Sequence, residues 1–356
     1  MKKILHTLVL FIALHSNAQT HAASFVYNIP LDRSNFPVKD DCEDKHRFFS
    51  LLTTGFGYCE IDNRGVHDTS IGNCFGGALC KLRYDLDSFW LQLKLGIAQK
   101  ILHASKNINV SSGIRLDDII ISTGYDLPIG KRSRLTISAL AGFPTSKRKF
   151  ISVEDFIGTM LAPFAFQKVG TGHYSIGFFI DSSLCYCSGA SSKHALIAEA
   201  QFVHYFPHNR SFTFDSKNSR LPQNWRSAWK SHNIPPIKTN IKTDWGNRLD
   251  FVIGNHDSWG NHHLEIGYNP TVAFGADTRV ESIGSSENFN FLEYDVQFKG
   301  GCRHTLYGDY NYLFLINDAI DGSIGLGIYY SFRPEQTIHD PKIHGIGFYS
   351  NLSFTF

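Results

Sequence analysis

Gly345-Ile346-Gly347-Phe348-Tyr349-Ser350-Asn351-Leu352-Ser353-Phe354-Thr355-Phe356 closes the chain, and its alternation decides the fold. Ile346, Phe348, Ser350, Leu352, Phe354 and Phe356 fall on one side of an extended backbone. Gly347, Tyr349, Asn351, Ser353 and Thr355 fall on the other. A period of two with one apolar and one small, polar face is the signature of a β-strand. Chain ends ordinarily fray, so an aromatic at the last position implies a strand held to its final residue. A strand that must close a barrel meets that requirement.

The same alternation recurs upstream. Phe89, Leu91, Leu93, Leu95 and Ile97 oppose Trp90, Gln92, Lys94, Gly96 and Ala98. Comparable runs occupy 119–127, 135–143, 174–180, 196–206, 264–274, 306–316 and 324–332, with weaker segments at 48–60, 78–85, 249–253 and 291–298. The links between them alternate in length: those near 86–88, 128–133 and 188–194 are short, whereas 61–76, 99–113 and 144–171 are long. Short turns at one end and long loops at the other are the habit of membrane β-barrels. A soluble sandwich has no cause to keep that rhythm.

An alternating last strand that ends in Phe resembles the C-terminal strand of Gram-negative outer-membrane β-barrels. The resemblance implies an all-β, antiparallel, up-and-down transmembrane barrel of porin-like type in the outer membrane. It also implies that Leu352, Phe354 and Phe356 form the signal by which barrel-assembly machinery recognises the chain. The segments above number thirteen, but single-chain bacterial barrels are typically even-numbered. The expectation is therefore fourteen strands, with the missing one at 211–215 or 237–243. Twelve is the alternative, reached if 48–60 is not a strand.

The front of the chain fits export. Met1-Lys2-Lys3 precedes the apolar run Ile4–Leu14, followed by small and polar residues, with cleavage expected after Ala18, Ala22 or Ala23. The apolar run is too short to span a bilayer as a helix. The expected organisation is a signal peptide over 1–23, a periplasmic lead over 24–47 and a barrel over 48–356. Within the barrel, the longest loops are expected near 144–171 and 207–246. The formal charge of the whole chain is only +2, which gives no electrostatic case for nucleic acid. The expected surroundings are outer-membrane lipid, and self-association is left open.

Seven Cys are present, and an oxidising compartment favours pairing. Cys59 and Cys74 flank an expected loop and are the first candidates for a disulfide. Cys185-Tyr186-Cys187 lacks the spacing of a metal site, so no metal is expected.

Alternation also nominates the lining of the barrel. Gln92, Lys94, Asp181, Glu199, Glu293, Asp295 and Gln297 are the lumen candidates, because a charge on the lipid face near the midplane costs about 2–4 kcal/mol. Mixed charge in the lumen suits a passive channel for small solutes. A second reading comes from Asn255-His256-Asp257-Ser258, which resembles the His-x-Ser segment of outer-membrane phospholipase A. That resemblance implies His256 as general base and Ser258 as nucleophile of a lipid hydrolase. The stretch that carries the residue orienting the His in that family is missing here, and Trp259-Gly260-Asn261 reads as a turn directly after the pair. A third reading is a non-conducting structural or adhesive barrel. No P-loop, no GxGxxG after a strand and no His-Glu-x-x-His occurs, so no cofactor is expected.

Overall fold

A computed structural model describes residues 46–62, 70–104, 108–111, 114–129, 133–145, 173–188, 192–214, 230, 237–244, 246–274, 276–283, 294–298, 301–317, 320–333 and 342–356. The expected leader and nearly all of the lead and of the 144–171 loop lie outside these residues, as does Glu293. Eighteen strands are formed: β1 (His46–Asp62), β2 (Ser70–Leu86), β3 (Phe89–Ala104), β4 (Ile108–Ser111), β5 (Arg115–Leu116), β6 (Ile119–Pro128), β7 (Ser133–Phe143), β8 (Ser175–Ser188), β9 (Ser192–Tyr205), β10 (His208–Phe214), β11 (Ile237–Asp244), β12 (Asn247–Trp259), β13 (His262–Phe274), β14 (Ala276–Ile283), β15 (Tyr294–Phe298), β16 (Gly301–Asn317), β17 (Ile320–Arg333) and β18 (Lys342–Thr355).

Twelve of them close into an antiparallel barrel. Around the wall the order is β1, β2, β3, β6, β7, β8, β9, β12, β13, β16, β17, β18 and back to β1. β1 and β18 pair from Phe49 with Thr355 up to Asp62 with Lys342. Phe356 stays within this seam: its N–H donates to the Phe48 carbonyl at 2.9 Å, and the Phe48 N–H donates back at 3.3 Å. β6 pairs with β3 only from Phe89 to Lys94, and the short β4 and β5 take the upper part of β3 instead.

Twelve was the lower of the two expected counts, but the route to it differs. Segment 48–60 is a genuine wall strand, β1. Segment 291–298 is the one that leaves the wall, because its described part, β15, pairs with β14 in a separate four-stranded sheet. The strands sought at 211–215 and 237–243 do exist, as β10 and β11, and they belong to that same sheet. Chain continuity places this sheet beyond one rim, since β9 is followed by β10 after only Phe206 and Pro207. The junction is bonded, with Tyr205 N–H donating to the Gly246 carbonyl at 3.2 Å.

The two ends of the barrel differ as the lengths of the links require. At the end that holds His46 and Phe356, the connections are 87–88, 129–132, 189–191, 260–261 and 318–319. Two-residue hairpins need positive φ in the turn, and Asp87 at 53° and Gly260 at 56° provide it. The opposite end carries the long connections and the four-stranded sheet. A transmembrane strand needs only about 9–11 residues. β1, β2 and β16, with 17 residues each, therefore overshoot a bilayer toward the long-loop end.

Burial follows the strand pleat. Outward positions such as Leu91, Ile97, Phe178, Ile253, Ile266, Leu326 and Phe348 are exposed, while their neighbours Trp90, Ala98, Val252, Tyr329 and Tyr349 are buried. This inverts a soluble protein's pattern. A wall that is apolar outside and polar inside is stable where lipid, not water, covers the outer face. The chain is thus a closed antiparallel barrel of the outer-membrane kind.

Candidate functional site: the barrel lumen

The inward positions make three tiers. Nearest the chain termini, the Arg83 guanidinium lies 4.7 Å above the Trp90 ring and 5.9 Å from that of Phe49. Arg83 Nε bonds Asp85 at 2.5 Å and its Nη2 reaches Asp126 at 3.4 Å. Asp126 also binds Arg134 and accepts from Thr136 Oγ1 at 2.6 Å. Two arginines thus share two carboxylates, an arrangement held by charge-assisted bonds from three strands, β2, β6 and β7.

The middle tier brings two carboxylates side by side. Glu265 on β13 and Asp309 on β16 are register partners, both buried. Like charges placed opposite each other repel, and hydrogen bonds offset the repulsion. Tyr307 Oη donates to Glu265 at 2.7 Å. Asn351 Nδ2 donates to Asp309 at 3.0 Å, and Asn311 Nδ2 donates to it as well. Thr53 Oγ1 donates to Asn351 Oδ1 at 2.9 Å, which ties the seam strand to the same network. On the far wall Lys81 and Lys94 are themselves register partners, both buried.

The tier toward the long-loop end is basic. Arg248 Nε donates to Asp250 Oδ1 at 3.0 Å and lies 2.7 Å from Oδ2. Arg303 donates to Thr271 Oγ1 at 3.2 Å, and Thr305 and Ser331 share a 2.8 Å hydrogen bond. Arg248, Arg303 and Arg333 are each 7% exposed.

Aromatic rings lie over glycines of the same wall. Tyr349 lies on Gly327, Tyr329 on Gly347, Tyr307 on Gly267 and Trp90 on Gly124; a Cβ at any of these glycines would overlap the ring. Glycine lets a neighbouring backbone or ring approach closely, so these rings lie along the wall.

The sequence-nominated residues divide as follows. Gln92 and Lys94 stand on the inward side of β3, and Gln92 Nε2 donates to Ser122 Oγ at 3.4 Å. Asp181 and Glu199 are register partners on β8 and β9. Asp295 and Gln297 lie in β15, so they are not part of the barrel wall. The strand register does not set the expected disulfide partners opposite each other: Cys74 stands opposite Tyr58, and Cys59 stands opposite Asn73. Leu352 and Phe354 face outward on β18, and the Phe356 ring packs 6.1 Å from Phe48 and 6.5 Å from Phe354.

His256 and Ser258 lie on β12 beside the turn, but their polar atoms are spent elsewhere. His256 Nε2 is 3.2 Å from His263 Nδ1, and its Nδ1 is 3.7 Å from Glu265. Ser258 Oγ is directed at the Lys193 carbonyl at 3.5 Å. A base that activates a nucleophile must bond it, and these contacts lead the two side chains apart. Among the described residues no group of three or more His, Cys, Asp or Glu is gathered to hold a metal ion.

Glu265, Asp309, Arg248, Arg303 and Arg333 escaped the sequence reading although the signal was present. Each sits at an odd or even step opposite the apolar residues of its own strand, and strict counting along β12, β13, β16 and β17 would have found them.

No protein-family model matches the chain, and no curated protein is similar to it. Among solved structures it is similar to an outer membrane channel from Pseudomonas putida F1, at 9% identity and a TM-score of 0.49 over 90% of this chain and 99% of that one. It is similar at 10% identity to the toluene transporter TbuX of Ralstonia pickettii, with a TM-score of 0.42 over 88% and 89% of the two chains. It is also similar to the outer membrane protease OmpT of Escherichia coli, at 8% identity and a TM-score of 0.31 over 90% and 99%. Likenesses this remote say nothing of what the chain transports or cleaves.

Proposed function

We propose that this chain spans an outer membrane as a passive channel for small polar solutes. The observation that carries the reading is the sidedness of the wall. Its inward positions hold Lys81, Arg83, Lys94, Asp126, Glu265, Arg303 and Asp309, while the outward positions beside them are apolar. A row of charges is tolerated at membrane depth only where water or a partner charge meets it. Rings laid along the wall by facing glycines favour a path along the axis. Acidic and basic groups both line the lumen, with arginines in excess toward the long-loop end, so that solutes of either sign meet a partner along it. Lipid on the outer face, and assembly machinery reading Leu352, Phe354 and Phe356, complete the proposal.

Single-channel recording in planar bilayers tests it. Purified chain should give stable, stepwise conductance. A silent membrane, with protein insertion verified, would overturn the channel in favour of a structural or adhesive barrel.

A further inference from the structure

The outer face carries a ribbon of stacked rings that the channel reading does not use. Tyr268 on β13 stacks on His304 of β16, with centroids 6.0 Å apart and planes at 7°. His304 stacks on Phe332 of β17 at 5.1 Å, Phe332 on Tyr330 at 5.8 Å, and Tyr330 on His344 of β18 at 6.4 Å. Each imidazole is also held by a phenol. Tyr268 Oη is 2.5 Å from His304 Nδ1 and Tyr330 Oη is 2.9 Å from His344 Nδ1. When the phenol donates to Nδ1, the neutral ring keeps its proton on Nε2, on the side away from the phenol.

The depth of this ribbon is defined by the strand that bears it. On β18, His344 lies ten residues above Phe354 on the same face. At about 3.3 Å per residue and a tilt of roughly 40°, that is about 25 Å, the height of the apolar band between the two aromatic girdles of a membrane barrel. Ile346, Phe348 and Leu352 fill the interval on β18, and Ile328, Leu326 and Ile324 fill it on β17. Phe354 and Phe356 mark one boundary, so the ribbon marks the other, at the headgroup level of the leaflet on the long-loop side.

We infer that His304, with His344 in support, is a binding site for the phosphate of a membrane lipid headgroup. The register neighbours of His304 are Pro270 and Phe332, which repel no anion, whereas His344 stands opposite Glu60 in the seam. His304 is therefore the principal ligand. Its Nε2–H donates to a phosphate oxygen, and the flanking rings of Tyr268 and Phe332 cover the lipid's glycerol and upper chain. Imidazole donates to an anion in both of its protonation states and, unlike Trp or Tyr, can also bring a positive charge to it.

This inference rests on the membrane-spanning reading, and one experiment separates the two. Full-length protein in mild detergent is incubated with equal amounts of phosphatidylglycerol and diacylglycerol, and retained lipid is counted by native mass spectrometry. Wild type should retain phosphatidylglycerol over diacylglycerol. His304→Phe combined with His344→Phe keeps the stacked faces and removes the donors. Its preference should fall about tenfold, the size of one hydrogen bond to a charged group. His304→Arg should restore it. A double variant with undiminished preference overturns the phosphate site, and so does equal loss of both lipids, which would mark plain ring packing. Failure of the wild type to insert into vesicles would instead bring down the membrane reading, and this inference with it.

Discussion

Tyr349 lies flat on Gly327, its register partner across the β17–β18 pair, and a Cβ on that glycine would overlap the ring. The neighbouring pair reverses the order, with Tyr329 on Gly347. The two rings thus lock the last hairpin reciprocally, and Tyr349 itself stands in the seam, opposite Gly55 of β1. Each tyrosine is buried.

Gly327→Val should therefore destabilise the barrel by about 1–3 kcal/mol, the usual cost of overpacking. Urea titration in detergent, followed by the folded fraction on an unheated gel, measures it. Adding Tyr349→Ala removes the ring that the new side chain meets, and should return part of the loss. Independent, additive effects would show that the ring and the glycine do not touch.

Arg248 Nε and the Asp250 carboxylate form an ion pair with both side chains more than nine-tenths buried. Asp250→Ala leaves a guanidinium with its partner removed, and breaking a buried pair from one side costs about 3–5 kcal/mol. Lumen water would hold the loss at the lower end of that range. Arg248→Leu with Asp250→Leu should cost less than Asp250→Ala alone, because no uncompensated charge remains. The same titration checks both. A double variant as unstable as the single one would refute the pair's role as mutual compensation.

Alternation along one strand was enough to read the architecture, and it failed where the missing information is non-local. β15 alternates as well as any wall strand, so nothing within Tyr294–Phe298 tells which strand it will join. Its membership in the outer sheet is decided by β14. Cys59 and Cys74 flank the 63–69 connection, and proximity in the hairpin made them a natural pair. A bridge needs suitable Cβ positions, and register sets Cys74 against Tyr58 instead. The lumen was partly legible. Lys94 is on the inward side because Leu93 and Leu95 are not, yet that Lys81 stands beside it follows only from the β2–β3 register. The Trp90–Gly124 contact likewise joins strands thirty residues apart, and a glycine in isolation does not disclose which ring will cover it.

The expected Cys59–Cys74 pair gives a direct test of that register. Non-reducing and reducing gels of the folded protein should show the same mobility for wild type and for Cys59→Ser. Intact-mass spectrometry before and after reductant should likewise show no change that Cys59→Ser abolishes. A mass two units low, restored by reductant and abolished by Cys59→Ser, would place a disulfide where the strand pairing puts Tyr58 and Asn73.

His256 and Ser258 turn their polar atoms to His263, Glu265 and the Lys193 carbonyl. Incubated with phospholipid vesicles, the wild type should release no fatty acid, and Ser258→Ala should be indistinguishable from it. Release by the wild type that the substitution abolishes would revive the hydrolase.

Phe356 separates packing from recognition. Its backbone bonds with Phe48 do not depend on the side chain, so Phe356→Ala removes only the ring contacts with Phe48 and Phe354. An aromatic pair contributes about 0.5–1.5 kcal/mol beyond its area, and the stability of refolded Phe356→Ala should fall by about 1 kcal/mol. If assembly machinery reads this terminus, the amount of folded barrel in cell membranes should fall far more than that loss explains, and Phe356→Tyr should restore it. Quantitative heat-modifiable gels of membranes, set beside the urea titration, make the comparison. A cellular loss no larger than the equilibrium loss would leave Phe356 as a packing residue of the seam and nothing more.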